Sequence, residues 1–299
     1  MKKILKRLPF VLVFLAGFSL LMYPLVANQW NSYRQGKLAN TYSDSIANLE
    51  GQGKIDYEKE WQKAYAFNHN LLPSILPDSF SVAADKDGPA DNYLKCLNLA
   101  GSGIMGTIEI PKIEVDLPIY HTTDPSVLQM AAGHLEGSSL PCGGESTHSV
   151  ISAHRGLPSA TLFTDLDKLG IGDHFLLHIL DDILCYEVDQ ILVVEPDETE
   201  ALMVENGKDL VTLLTCTPYG INSQRLLVRG HRIPYEPEVI QEEEKTVVHS
   251  IHTNYLMWVL IGLSITAFSI ALMLIISSRM AGKKKEKQVK TENQESGLS

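Results

Sequence analysis

Leu210-Val-Thr-Leu-Leu-Thr-Cys-Thr-Pro-Tyr-Gly-Ile-Asn-Ser-Gln-Arg-Leu-Leu-Val-Arg-Gly-His-Arg-Ile233 reads as two apolar strands joined by a turn-rich loop. Aliphatic and β-branched residues run from Leu210 to Thr215, Thr217-Pro218-Tyr219-Gly220 breaks the run, and Arg225 to Ile233 resumes it. A thiol, Cys216, is thus presented at a strand end beside a loop. Arg225 opens the following strand, and Arg229 alternates onto the same face four residues later, so spacing leaves both open as the cation beside the thiol. A strand cysteine is ordinarily a buried, inert residue. To act as a nucleophile it needs a nearby cation or base, because a free thiol with a pKa of about 8.5 is mostly protonated at neutral pH.

Outward from this stretch, similar short runs recur: Gly106 to Tyr120, His148 to Ala153, His174 to Ile179 and Ile183 to Val194. Short strands with turn signals between them predict a mainly β barrel or sandwich. Leu180-Asp181-Asp182 reads as a hairpin turn, and Ser126 to His134 and Ala160 to Leu169 as short helical inserts. His154 follows the run Val150-Ile-Ser-Ala153, which again delivers a polar group at a strand end. The other histidines, His69, His121, His134, His148, His174, His178, His231, His249 and His252, read as surface or satisfied core residues. Cys96, Cys142, Cys185 and Cys216 are an even number, compatible with two bridges, but no CxxC pair or zinc-spaced cluster occurs.

Residues 31 to 70 are helical by the spacing of Leu38, Tyr42, Ile46 and Leu49, with a break at Gly51-Gln-Gly53; from Leu71 to about Gly103 periodicity fails and a long loop is expected. The ends differ from the body. No charge falls between Leu8 and Tyr33, and the apolar run to Ala27 is long enough to cross a bilayer, with a cleaved signal peptide as the competing reading. Tyr255 to Ser278 is a second uncharged run, followed by Arg279 and a lysine cluster. The formal charge is -11 overall; with +4 in the first seven residues and about +3 beyond residue 278, about -18 is left for the middle. An acidic body excludes a nucleic-acid partner, whose phosphates demand clustered Lys and Arg. Basic ends stay on the cytoplasmic side, which puts residues of roughly 31 to 250 outside. The expected organisation is an anchor (1–30), a helical lead and loop (31–103), a β domain (104–240), a linker (241–254), a membrane helix (255–278) and a basic cytoplasmic tail (279–299).

Thr212-Leu-Leu-Thr-Cys216 matches the TLxTC pattern of sortases, and its continuation through Gly230 resembles the class C, pilin-polymerising sortases of Gram-positive bacteria. Glu136-Gly-Ser-Ser-Leu-Pro141 and Ser152-Ala-His-Arg-Gly-Leu-Pro158 are similar to the same family. The resemblance implies a closed β-barrel, with Cys216 as nucleophile, His154 as acid/base and Arg225, the first arginine after TLxTC, as third member. It also implies a lid carrying an Asp-Pro-aromatic motif; here the loop holds Asp78-Ser79-Phe80, with Asp78 to pair with Arg225 and Phe80 to cover Cys216. Serine at the middle position removes the fixed φ of proline, so a looser lid is expected. The implied activity is transpeptidation at LPxTG-like motifs of pilin subunits, with a lysine of the next subunit as acceptor and neither metal nor organic cofactor. The rival readings are a sortase that anchors proteins to cell-wall peptide and a non-catalytic external assembly domain with a structural Cys216. A papain-like protease is disfavoured because His154 precedes the cysteine.

Overall fold

The computed structural model describes residues 8–71, 76, 78–80, 91–238, 240, 257 and 260–270. The chain divides into two compact units, Tyr23–Thr253 and a second made of Met1–Met22 with Asn254–Ser299. In the second unit residues 260–270 are helical.

Eight strands carry the first unit: β1 (Ile104–Ile110), β2 (Val115–His121), β3 (Ala132–His134), β4 (Thr147–Ser152), β5 (His174–Ile179), β6 (Asp182–Val194), β7 (Asp209–Thr217) and β8 (Gln224–Ile233). They close into a barrel in the order β1-β2-β3-β4-β7-β8-β6-β5. The β2–β3 and β4–β7 pairs are parallel and the others antiparallel. Closure leaves no open edge. Period-two alternation sends Ile108, Ile110, Ile151, Val211, Leu213, Leu226 and Val228 inward, where they pack with Phe163, Phe175 and Tyr186. Each large apolar side chain so buried contributes about 1.5–3 kcal/mol. Gly230 is required by this core: a Cβ there would stand 2.7 Å from the Phe175 ring.

Helix α1 (Leu8–Gly51) ends at the expected Gly51–Gly53 break, and α2 (Tyr57–Asn70) starts at Asp56, whose carboxylate accepts from Lys59 N at 3.1 Å. The helical stretch expected over 31–70 is therefore the end of one long helix followed by one of ordinary length. From Asn28 onward α1 is fastened to the barrel, since Asn31 and Gln35 donate to the carbonyls of Ser159 and Met130. Asn68 of α2 donates to Leu140 O and accepts from Leu140 N. In the expected loop 71–103 the described part contains a short helix, α3 (Asp91–Leu94).

Three expectations change. The insert 126–134 is helical only over α4 (Pro125–Leu128); Ala132–His134 pairs with β2 and β4 as a strand, because it fills the position between them that barrel closure needs. The insert 160–169 reduces to a 3-10 turn at Leu166–Lys168. Among the described residues no helix is long and apolar enough to cross a membrane, so the expected spans at 8–27 and 255–278 have no support here. Most of the second run and the basic tail lie outside the described residues. None of the four cysteines is joined in a disulfide.

His134 is fully buried and neutral: Nδ1 accepts from Tyr93 OH at 2.9 Å and Nε2 donates to Ser139 O at 2.8 Å. Burial pushes its pKa down from 6.5 to about 4. The unfolded chain takes this proton near pH 6.5 and the folded chain only near 4, so stability is complete above 6.5 and falls as pH drops through that window. The loss reaches roughly 3 kcal/mol at about 1.4 kcal/mol per unit. Thermal melts of wild type and His134→Gln across about pH 7 to 4 check this: the variant loses this part of the slope, and parallel profiles would refute it.

Candidate active site

The parallel pairing of β4 with β7 sets Ser152 opposite Leu214, so His154, just past the end of β4, and Cys216, near the end of β7, lie at the same end of the barrel. On the other side of β7, antiparallel β8 places Arg225 directly opposite Cys216 and Arg229 opposite Thr212. Register thus decides what spacing left open. Arg229 is held elsewhere, by both oxygens of Asp189 at 2.9 and 3.0 Å and by Glu205 Oε1 at 2.6 Å.

Arg225 is gripped by the segment 78–80. Its Nε and Nη2 donate to the two oxygens of Asp78 at 2.7 and 2.6 Å, a bidentate pair with both side chains at most one-tenth exposed. Nη1 donates to the carbonyls of Asn222 and Gln224. The Phe80 ring lies 5.3 Å from the guanidinium carbon and 5.2 Å from the centre of the His154 ring. All five residues singled out by sequence, Cys216, His154, Arg225, Asp78 and Phe80, meet at this end of the barrel.

The serine that replaces the expected proline has a partner that sequence reading missed. Ser152 donates to Ser79 Oγ at 2.7 Å, and both side chains are buried. Alternation along β4 puts Ser152 on the outward face with Val150, but nothing local to either serine pairs it with the other. Below Phe80 runs an apolar groove of Leu135, Val150, Leu202, Leu214 and Leu227, against which Leu76 and Phe80 pack. A separate cavity of about 690 Å³ lies between Asn68, Ser139, Thr147, His148 and Met203, away from the thiol.

Burial pushes the Cys216 thiol above its ordinary pKa; Arg225 pulls it back and Asp78 pushes it further up. Burial pushes His154 down. With residues 78–80 in place, thiol and imidazole are both held in their neutral forms. Among the described residues no group of three His, Cys, Asp or Glu side chains is arranged to hold a metal ion.

The sortase domain model matches residues 108–233, which contain the last three residues of β1, all of β2–β8, and the site's thiol, histidine and arginine. The crystal structure of Streptococcus pneumoniae sortase C, a protein described for its catalysis and pilin substrate specificity, is 44% identical, with a TM-score of 0.57 over 67% of this chain and 97% of that one. The chain belongs to the sortase family. Sortases are cysteine transpeptidases of the extracellular cell surface, and the solved sortases this one resembles are of class C. Sortase C1 of Streptococcus agalactiae is likewise 44% identical, with a TM-score of 0.59 over 68% of this chain and 97% of that one. Among curated proteins, sortase D of Bacillus subtilis is 31% identical over 131 residues, 43% of this sortase and 63% of that protein.

Asp78→Asn removes a negative charge beside the thiol and loosens the fork on Arg225, so the Cys216 pKa falls. Iodoacetamide labelling read at the Cys216 peptide is expected to shift its half-maximal rate to lower pH, with severalfold faster labelling near neutrality. A curve that stays in place or moves up would show that Asp78 does not govern the thiol.

Proposed function

We propose that this sortase cleaves LPxTG-like sorting motifs of pilin subunits and joins each through an isopeptide bond to a lysine of the next. The observation that carries the reading is the placement of Cys216 opposite Arg225 with His154 at the end of the neighbouring parallel strand. The class C neighbours, one of them described for its pilin substrate specificity, support the substrate class.

In this mechanism residues 76–80 act as a lid and first leave the groove. Withdrawal of Asp78 removes the carboxylate that raises the thiol pKa, and Arg225 is freed to stabilise negative charge. The Cys216 proton passes to His154, and the thiolate attacks the threonine carbonyl carbon. Charge that builds on the carbonyl oxygen is met by the guanidinium, a preorganised donor. The C–N bond then breaks as His154 gives its proton to the departing glycine amine. In the second half the lysine amine attacks the thioester, the C–S bond breaks, and the amine's proton returns to the thiol–imidazole pair. Arg225 does not deprotonate and so serves as the electrostatic partner, never as the base. The body's negative charge suits an acceptor that presents a lysine.

We further propose the two-pass arrangement, with spans at 8–27 and 255–278, both termini cytoplasmic and the catalytic domain outside. The two uncharged runs and their basic flanks support it. It holds the enzyme where membrane-anchored pilins are presented.

The full-length protein, incubated with an LPxTG-type peptide and followed by intact mass, should form a thioacyl adduct that is absent in Cys216→Ala and His154→Ala. Arg225→Lys keeps the charge but loses the fork and should acylate about 100-fold more slowly or worse. Asp78→Ala should accumulate adduct faster. An adduct on Cys216→Ala, or none in wild type and Asp78→Ala alike, would favour a non-catalytic assembly domain. Transfer to a cell-wall peptide amine in preference to a pilin lysine would favour the anchoring reading.

A further inference from the structure

His154 lies beyond the last residue of β4, in a stretch where the strand ladder no longer fixes it, yet the proposed reaction needs its ring held against Cys216. The backbone on both flanks is tied to the flanks of the thiol. On one side Thr215, before Cys216, donates from Oγ1 to the carbonyl of Ala153, before His154, at 2.7 Å. On the other, Arg155, after His154, donates from Nη1 to Oγ1 of Thr217, after Cys216, at 3.2 Å. The two links bracket the pair symmetrically.

Arg155 is suited to be the stiff member. Its side chain is 7% exposed and its fork is fully used: Nε donates to Thr164 O at 3.1 Å and Nη2 pairs with Asp167 at 2.5 Å, which leaves Nη1 aimed at Thr217. The next residue, Gly156, has φ +77 and a Cβ there would stand 3.1 Å from the Tyr219 ring, so the loop after Cys216 also leans on this turn. A planar guanidinium held at three points transmits position in a way that an ammonium on a flexible stem does not.

We propose that Arg155 is a positioning residue of this sortase, which sets His154 against Cys216 by bridging the segment 164–167 to Thr217. The proposal rests on the transpeptidase reading. Thr217 is only partly buried, so its hydroxyl contributes little to the core, whereas a displacement of about 1 Å between reacting groups costs on the order of 100-fold.

The test compares full-length wild type, Thr217→Val, Thr217→Ser and Arg155→Lys in single-turnover thioacyl formation with an LPxTG-type peptide, with thermal midpoints measured in parallel. Thr217→Val is expected to lower the acylation rate at saturating peptide about tenfold, with the half-saturating concentration unchanged and the melt within about 2 °C of wild type. Thr217→Ser restores the rate; Arg155→Lys resembles Thr217→Val or is worse. Wild-type rates in both Thr217→Val and Arg155→Lys overturn the proposal, as do losses that only follow the unfolded fraction. The imidazole resonances of His154 give a readout without substrate: they move in Thr217→Val if the bridge holds the ring, and stay in place if it does not. A wild type and an Asp78→Ala variant that both label at Cys216 but never acylate refute the transpeptidase reading, and the resonances still decide the bridge.

Discussion

Two strands that run the same way end at the same side, and the site depends on that constraint. Consecutive antiparallel hairpins would deliver successive strand ends to opposite ends of the barrel. The parallel pairing of β4 with β7, Ser152 against Leu214, carries His154 and Cys216 out together although they are far apart in sequence. The antiparallel return of β8 then adds Arg225 across from the thiol. Three chemically matched groups become neighbours because barrel closure fixes each strand's partners and register.

The electrostatics follow from burying a guanidinium in that corner. An unpaired buried cation is costly, and breaking a buried pair by removing one partner typically costs about 3–5 kcal/mol. Two backbone carbonyls and some remaining exposure reduce that figure here, so Arg225 without Asp78 is under-satisfied rather than forbidden. Such a group attracts whatever anion the site can generate. In the resting arrangement that anion is the Asp78 carboxylate, which also keeps the thiol protonated. In the proposed reaction the thiolate and then the oxyanion take its place, so one cation serves both the closed and the working state.

Legibility in the sequence tracked how local each determinant is. Strand runs, the Gly51–Gly53 break and the strand-end positions of Cys216 and His154 depend on near neighbours and could be read directly. The distinction between Arg225 and Arg229 depends on register across a hairpin, which period-two alternation does not supply. Strand β3 was hidden because three residues, Ala132–His134, carry too little periodicity to outweigh the adjoining helix; only their neighbours β2 and β4 define them as a strand. Ser79 was read for the φ restraint it lacks. Its hydrogen bond to Ser152 spans 73 residues, and local sequence gives no sign of it. Arg155 escaped for the same reason, since its partners Thr164, Asp167 and Thr217 come together only in three dimensions.

Arg225 and Arg229 of β8 show how one strand face separates structure from chemistry. Arg229 is satisfied by Asp189 and Glu205, residues of β6 and of the connection between β6 and β7. Nothing in the proposed cycle displaces them, so its charge is spent on fixing that connection, which also carries Leu202 into the groove wall. His148 adds to the restraint by donating to Met203 O while it accepts from Thr212. Arg225, by contrast, is paired with a carboxylate from outside the strand ladder, on a segment held over the groove by Phe80, Leu76 and the Ser79 hydroxyl. A partner bound through side chains alone can leave without unpairing a strand. The difference between a structural and a working cation therefore lies in the attachment of its carboxylate, because both arginines share the same strand, face and chemistry.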